Sequence, residues 1–462
     1  MARETIQASG DTPRQERRPA REIRRRALPV TGGLAAAAIL AAGSGVSAAP
    51  QHRETSRGIT IPAFYDPPKH LPRKNGTLIR TQPLPLAVTL SDVKGPLPGR
   101  ATRLMYKSTD ANGKPVAVTG AYIEPTKKWR GRGPRPLIGM AAGTMGQGDQ
   151  CAPSLALQHP LTVNGETVSV GYEDLGIYRM LNEGIAVVVT DYAGLGTTDR
   201  LHTYAERFDQ AHALLDAVRA AKRLPRTSLT AKSRIGLYGY SQGGGASAAA
   251  AELQPRYAPE IHLSGTYAGA PPADLTQVIK GIDGSALAGA LGWSINGLSQ
   301  TYPEIRRVIN GHVNAKGRAA LKDLSTTCVG DAILRYGFST SKQWTRDGRS
   351  VGAIIAASPS VKKILARERL GSLKPAGPVR VTTGVLDDIV VHGQVRTLAV
   401  RWCAKGANVT YKPVKLPNLG NKLLTNHLAP LLTDQGDAIT WLTARLNGKR
   451  TTGTCAKLPG QP

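Results

Sequence analysis

Aromatic residues are scarce in this chain of 462 residues: they make up 5%, with three Phe in all. Stacking platforms for single-stranded nucleic acid need aromatic side chains interleaved with basic ones, and that supply is missing. Acidic residues are also few, 32 Asp+Glu against 60 Lys+Arg, for a formal charge of +28. The basic residues are scattered, with no block of five or six, so the surplus reads as a basic surface and not as a nucleic-acid footprint. Four cysteines are present without a CxxC pair or a Cys/His cluster. That spacing excludes the usual zinc sites. Beyond the N-terminal segment, no apolar run is long enough to span a bilayer.

What is present is globular in composition: 41% hydrophobic and 20% charged residues. The length exceeds that of a typical single core, so two domains or one elaborated core is expected.

Residues 1–49 read as a secretory signal and not as part of the fold. Arg24-Arg25-Arg26 closes a charged segment, an apolar stretch covers 27–42, and Val46-Ser47-Ala48 forms a small-residue cleavage site. Cleavage is expected near Ala48 or Ala49. Both the general secretory route and twin-arginine export fit the paired arginines. Removing eight Arg and four acidic residues takes a net +4 from +28 and leaves about +24 on the mature 413 residues. Cys151, Cys328, Cys403 and Cys455 all lie in that part, an even number that favours two disulfides in an exported chain, with three connectivities open.

Residues 76–99 are proline-rich and read as irregular. Residues 101–108 and 116–123 predict a hairpin, with Asn112-Gly113 in its turn. The apolar run at 136–141 and the segments 185–189, 235–238, 261–268, 379–383 and 409–414 read as strands, 185–189 as a buried parallel one. Helical spacings at 175–183, 208–218, 243–251 and 428–446 alternate with them. Such alternation predicts an α/β fold: a mostly parallel central sheet with helices on both faces. Residues 271–375 carry helical patterns without a buried strand and read as an inserted cap. The core is thus expected over 50–270 and 376–462.

Gly239-Tyr240-Ser241-Gln242-Gly243 is a G-x-S-x-G between a strand and a helix, the context of a nucleophile elbow. Ser241 is the candidate nucleophile, and a serine hydroxyl needs a base oriented by an acid. In this fold the chain order is serine, acid, histidine. Only His262, His312, His392 and His427 follow Ser241. His262 lies in a strand pattern, His312 in the cap, and His392 too near the candidate acids. His427, placed before the final helix, is therefore the candidate base. Asp387 and Asp388 both follow the strand at 379–383, and spacing does not choose between them. One oxyanion donor is expected from the amide of Gln242. The other is expected from the glycine-rich loop 143–148, at Thr144 or Gly146. That loop lacks the GKS/GKT ending of a phosphate loop.

With these residues in place, the mature chain resembles the secretory lipase family, which implies an α/β-hydrolase fold. The markers are Gly143-Thr144, the run Asp149-Gln150-Cys151-Ala152-Pro153-Ser154, and Thr190-Asp191-Tyr192-Ala193-Gly194-Leu195-Gly196. The serine motif, Leu386-Asp387-Asp388-Ile389-Val390 and Cys403-Ala404-Lys405-Gly406-Ala407-Asn408 complete the set. The resemblance implies Asp387 as the acid, Cys151–Cys328 and Cys403–Cys455 as the disulfides, and hydrolysis of carboxylic esters, including acylglycerols. Gln242 stands where the fungal members have Gly, and Ala141-Ala142 precedes Gly143 where many esterases have His-Gly. The expected partner is a lipid or small ester. No cofactor, metal, nucleic acid or stable membrane span is expected; contact with a lipid interface would be transient, and the chain would act as a monomer. The alternatives are an acyltransferase using the same triad and a non-catalytic surface or binding protein on the same scaffold.

Overall fold

A computed structural model describes residues 54–87 and 98–462; the predicted signal segment lies outside the described residues. Nine strands form the central sheet: β1 (Leu78–Leu84), β2 (Gly99–Thr109), β3 (Pro115–Pro125), β4 (Leu137–Ala141), β5 (Ala186–Ala193), β6 (Ile235–Tyr240), β7 (Leu263–Gly269), β8 (Val379–Gly384) and β9 (Val409–Val414). Their spatial order is β9-β8-β7-β6-β4-β5-β3-β2-β1. From β9 to β5 every pairing is parallel, and from β5 to β1 every pairing is antiparallel. Strands β4, β5 and β6 are buried along their whole length. This is why their sequences are continuous apolar or small-residue runs and do not alternate.

The hairpin expected at 101–123 is β2–β3. The segment 76–99 departs from expectation, because β1 occupies part of it. Pro83 interrupts the sequence pattern, but β1 is an edge strand, where a residue without an N–H is tolerated.

The helix Arg207–Arg223 covers one face of the sheet with Ala211, Leu214, Leu215 and Val218. The final helix, Thr425–Leu446, covers the other with Leu431, Ala438, Ile439 and Leu442. Between β7 and β8 the chain forms seven α-helices, from Leu275–Ile282 to Pro359–Glu368. They enclose a hydrophobic cluster of their own around Trp293, Leu291, Ile305 and Leu324, which Tyr204 and Ile389 join from the sheet side. Two disulfides are present. Cys151–Cys328 joins the loop after β4 to this helical segment, and Cys403–Cys455 joins the helix His392–Ala404 to the C-terminal turn.

Candidate active site

Ser241 occupies the sharp turn between β6 and the helix Gln242–Tyr257. Its φ of 55° and ψ of −122° are strained for a side-chain-bearing residue. The flanking glycines are required by close approach: a Cβ on Gly239 would strike the carbonyl of Gly243, and one on Gly243 would strike the carbonyl of Ala141. The turn therefore presses the helix start against β4 and leaves the serine hydroxyl outside the sheet.

His427 lies in the first turn of the final helix, and not in a loop ahead of it as the sequence suggested. Its Nε2 is 2.9 Å from Oγ of Ser241, and its Nδ1 is 2.7 Å from Oδ2 of Asp387. Asp387 is buried, and its Oδ1 accepts from the amides of Ile389 at 3.1 Å and Val390 at 2.9 Å, so the carboxylate is fixed from both sides. Asp388 turns away and accepts from the amide of Lys422. His312 pairs with Asp347 at 3.7 Å, and His392 lies 3.3 Å from the hydroxyl of Tyr411.

Two residues of the site were missed in the sequence. Tyr240, read only as the variable position of the motif, donates from its hydroxyl to the carbonyl oxygen of His427 at 2.7 Å. His202 precedes Ser241 and so fell outside the search for a base. Its Nδ1 donates to the carbonyl of Ala193 at 3.0 Å, and its Nε2 lies 3.2 Å from Nε2 of Gln242. Burial lowers the His202 pKa to about 4, so it is neutral at pH 7 and its Nε2 accepts from the Gln242 amide group. Neither contact leaves a local spacing signal.

The amide of Gln242 opens a helix and has no acceptor within it. The loop after β4 faces it under tight restraint. Tyr192 donates to the carbonyl of Ala142 at 2.6 Å, Gly143 donates to Glu173 at 2.7 Å, and Tyr172 donates to the carbonyl of Thr144 at 3.0 Å. Burial raises the Glu173 pKa to about 7. The Thr144 hydroxyl is 2.8 Å from that of Tyr204, which lines the cavity in front of Ser241. Gly146, with φ of 131°, is instead bridged to Cys328 and faces away toward the helical segment.

Ser241 and Gln242 open into a cavity walled by Leu275, Val278, Ile282, Leu287, Ile389 and Val390, with Arg207, Gln210 and Glu368 also in its lining. Leu275, Val278 and Ile282 also line a second cavity inside the helical segment. Apart from Ser294, its walls are aliphatic throughout, among them Leu298, Ile305, Val308 and Ile355. Among the described residues no cluster of His, Cys, Asp and Glu is arranged to hold a metal ion.

The family model described as secretory lipase matches residues 157–454. The chain belongs to the secretory lipase family. It is accordingly a carboxylic ester hydrolase of α/β-hydrolase fold, and family and disulfides together mark it as exported. Over 413 residues it is 30% identical to a probable inactive lipase of Mycobacterium tuberculosis, covering 87% of this chain and 86% of that protein. A secreted triacylglycerol lipase of Malassezia restricta is 26% identical over 84% of this chain and 79% of its own length. The fold is similar to that of Candida antarctica lipase A, with a TM-score of 0.71 at 21% identity over 85% of this chain and 87% of the other. A rice cell wall degrading esterase of Xanthomonas oryzae gives 0.67 at 22% identity, over 82% of this chain and all of its own. For a secretory lipase, the substrate is a lipid or other ester. No helix among the described residues is long and apolar enough to cross a membrane.

Proposed function

We propose that this secretory lipase cleaves lipid esters through an acyl-enzyme on Ser241. His427 takes the proton from Ser241 as the hydroxyl attacks the acyl carbonyl, then returns it to the leaving alcohol. Asp387 holds the imidazole with Nδ1–H toward itself and stabilises the imidazolium. The amide of Gln242 and a donor at Thr144 stabilise the oxyanion. Gly146 is the weaker choice because its backbone is engaged with the helical segment. Water then attacks the acyl carbonyl as His427 takes its proton; the bond between the acyl carbon and Oγ breaks, His427 returns the proton to Oγ of Ser241, and the acid is released.

The observation that carries this reading is the unbroken relay Ser241–His427–Asp387 at 2.9 and 2.7 Å, opening into a largely apolar cavity. It also weighs against the non-catalytic alternative, although one relative is named an inactive lipase. The aliphatic cavity between the helices suits an acyl chain, which makes residues 271–375 a cap over the site. Exposed Leu419, Leu423, Leu428 and Leu432, close in sequence to His427, supply an apolar rim for transient contact with a lipid interface. The mature enzyme, cleaved near Ala48 or Ala49, would act as a monomer.

The test is Ser241→Ala. Turnover of a p-nitrophenyl ester and labelling by a fluorophosphonate should both vanish while the circular dichroism and Tm stay those of the parent. Undiminished turnover would overturn the proposal.

A further inference from the structure

Two polar atoms beside the Ser241 cavity have no partner. Arg207 and Gln210 both line this cavity, three residues apart at the start of the helix Arg207–Arg223, and both are buried. Gln210 donates from Nε2 to the carbonyl of Glu206 at 3.1 Å, which leaves its Oε1 without a donor. Arg207 uses Nη1 on the carbonyl of Arg369 at 2.6 Å and holds Nη2 at 3.5 Å from Glu252, but its Nε has no acceptor. Glu368, on the same wall, is already engaged: it accepts from the amide of Arg207 at 2.9 Å and from the hydroxyl of Tyr302.

An unmade hydrogen bond in a buried wall is costly, so a free acceptor and a free donor on one helix face point to a guest. The guest must donate to Gln210 and accept from Arg207, and a hydroxyl does both. An anion would suit Arg207 but not Gln210 Oε1, and it would meet the carboxyl group of Glu368. The aliphatic cap cavity suits an acyl chain, so a hydroxyl on this polar side belongs to the alcohol half of the ester.

We infer that Arg207 and Gln210 form a hydroxyl-recognising subsite for the leaving alcohol. Esters of polyols that keep a free hydroxyl, such as partial acylglycerols and sugar esters, are then turned over in preference to simple alkyl esters of the same acid. This inference rests on the reading of Ser241 as nucleophile and of the cap cavity as the acyl site.

The test compares kcat/KM for glyceryl monooctanoate and propyl octanoate, which share the acid and a three-carbon alcohol. The parent enzyme should favour the glyceryl ester about tenfold or more, the discrimination expected when a buried hydrogen-bonding site is left unfilled. Gln210→Met and Gln210→Leu remove the acceptor at similar volume and should bring the ratio to within about twofold of one. Equal kcat/KM for the two esters in the parent enzyme would mean that the two atoms hold only water, and would overturn the inference. So would an unchanged preference in both variants. Fluorophosphonate labelling separates the two levels. A parent enzyme that labels but does not discriminate fails this inference alone; one that does not label fails the reading of Ser241. The parent ratio decides even if a variant folds poorly.

Discussion

Asp387 and Asp388 are neighbours in the chain with unrelated partners. Asp387 places Oδ2 2.7 Å from Nδ1 of His427, while Asp388 accepts from the amide of Lys422 in the loop that leads to the final helix. One carboxylate therefore faces the imidazole, and the other restrains the segment that delivers it. Asp387→Asn should lower kcat by about 10³–10⁴-fold, since an amide no longer favours the productive tautomer. Asp388→Asn should cost less than about tenfold and show mainly as a lower Tm. Steady-state kinetics on a soluble ester, beside thermal melts, would expose the reverse ranking.

Acyl-chain preference should follow the cavity inside the helical segment between β7 and β8. Val308 lines it and is only partly buried, so the strain of a larger side chain there is limited. Val308→Trp should reduce kcat/KM for palmitate esters about tenfold or more while changing that for butyrate far less. A uniform loss across chain lengths would place the acyl chain elsewhere.

The two disulfides should differ in what they protect. Cys151–Cys328 lies beside the bridge between Gly146 and Cys328, in the loop that also carries Thr144. Replacing both cysteines by Ala should lower stability by about 2–4 kcal/mol and also reduce kcat, because the loop loses its anchor. Cys403–Cys455 fastens the C-terminal turn, remote from Ser241 in the sheet order. Its removal should lower Tm and leave kcat within about twofold. Calorimetry paired with kinetics on the two double variants would show whether the effects separate this way.

Glu173 links stability to pH. Burial raises its pKa from 4.5 in the unfolded chain to about 7 in the folded one. Between those values the folded state holds a proton that the unfolded state has released, so this group's contribution falls as pH rises from about 4.5 to 7. His202, lowered from 6.5 to about 4, acts in the opposite sense and favours the folded state as pH rises from 4 to 6.5. Glu173→Gln keeps an acceptor for the amide of Gly143 and removes the titration. Relative to the parent, it should become progressively more stable between pH 4.5 and 7. Tm measured against pH for both proteins would reveal a constant offset if Glu173 carries no such linkage.

Local patterns made much of the core legible. Strands β4, β5 and β6 are apolar or small-residue runs, because burial on both faces removes the need for polar alternation, whereas the edge strand β9 alternates buried Val409 and Tyr411 with exposed Lys412. The edge strand β1 was hidden by Pro83, which only an edge position tolerates. The contacts of Tyr240 and His202 were also hidden. They join residues far apart in the chain, and no spacing rule connects Tyr240 with His427 or His202 with Gln242.

The sequence by itself determined the tight turn at Ser241, the chain order of Ser241, the Asp387-Asp388 pair and His427, and the alternation that builds a parallel sheet. These follow from covalent geometry and from which stretches can be buried. Only the tertiary structure decided which of two adjacent carboxylates meets His427, that Gly146 is bridged to Cys328, and where polar atoms are left unpaired in the wall of the Ser241 cavity. Those outcomes depend on directions and distances between side chains brought together by folding, and a linear pattern of residue types does not encode them.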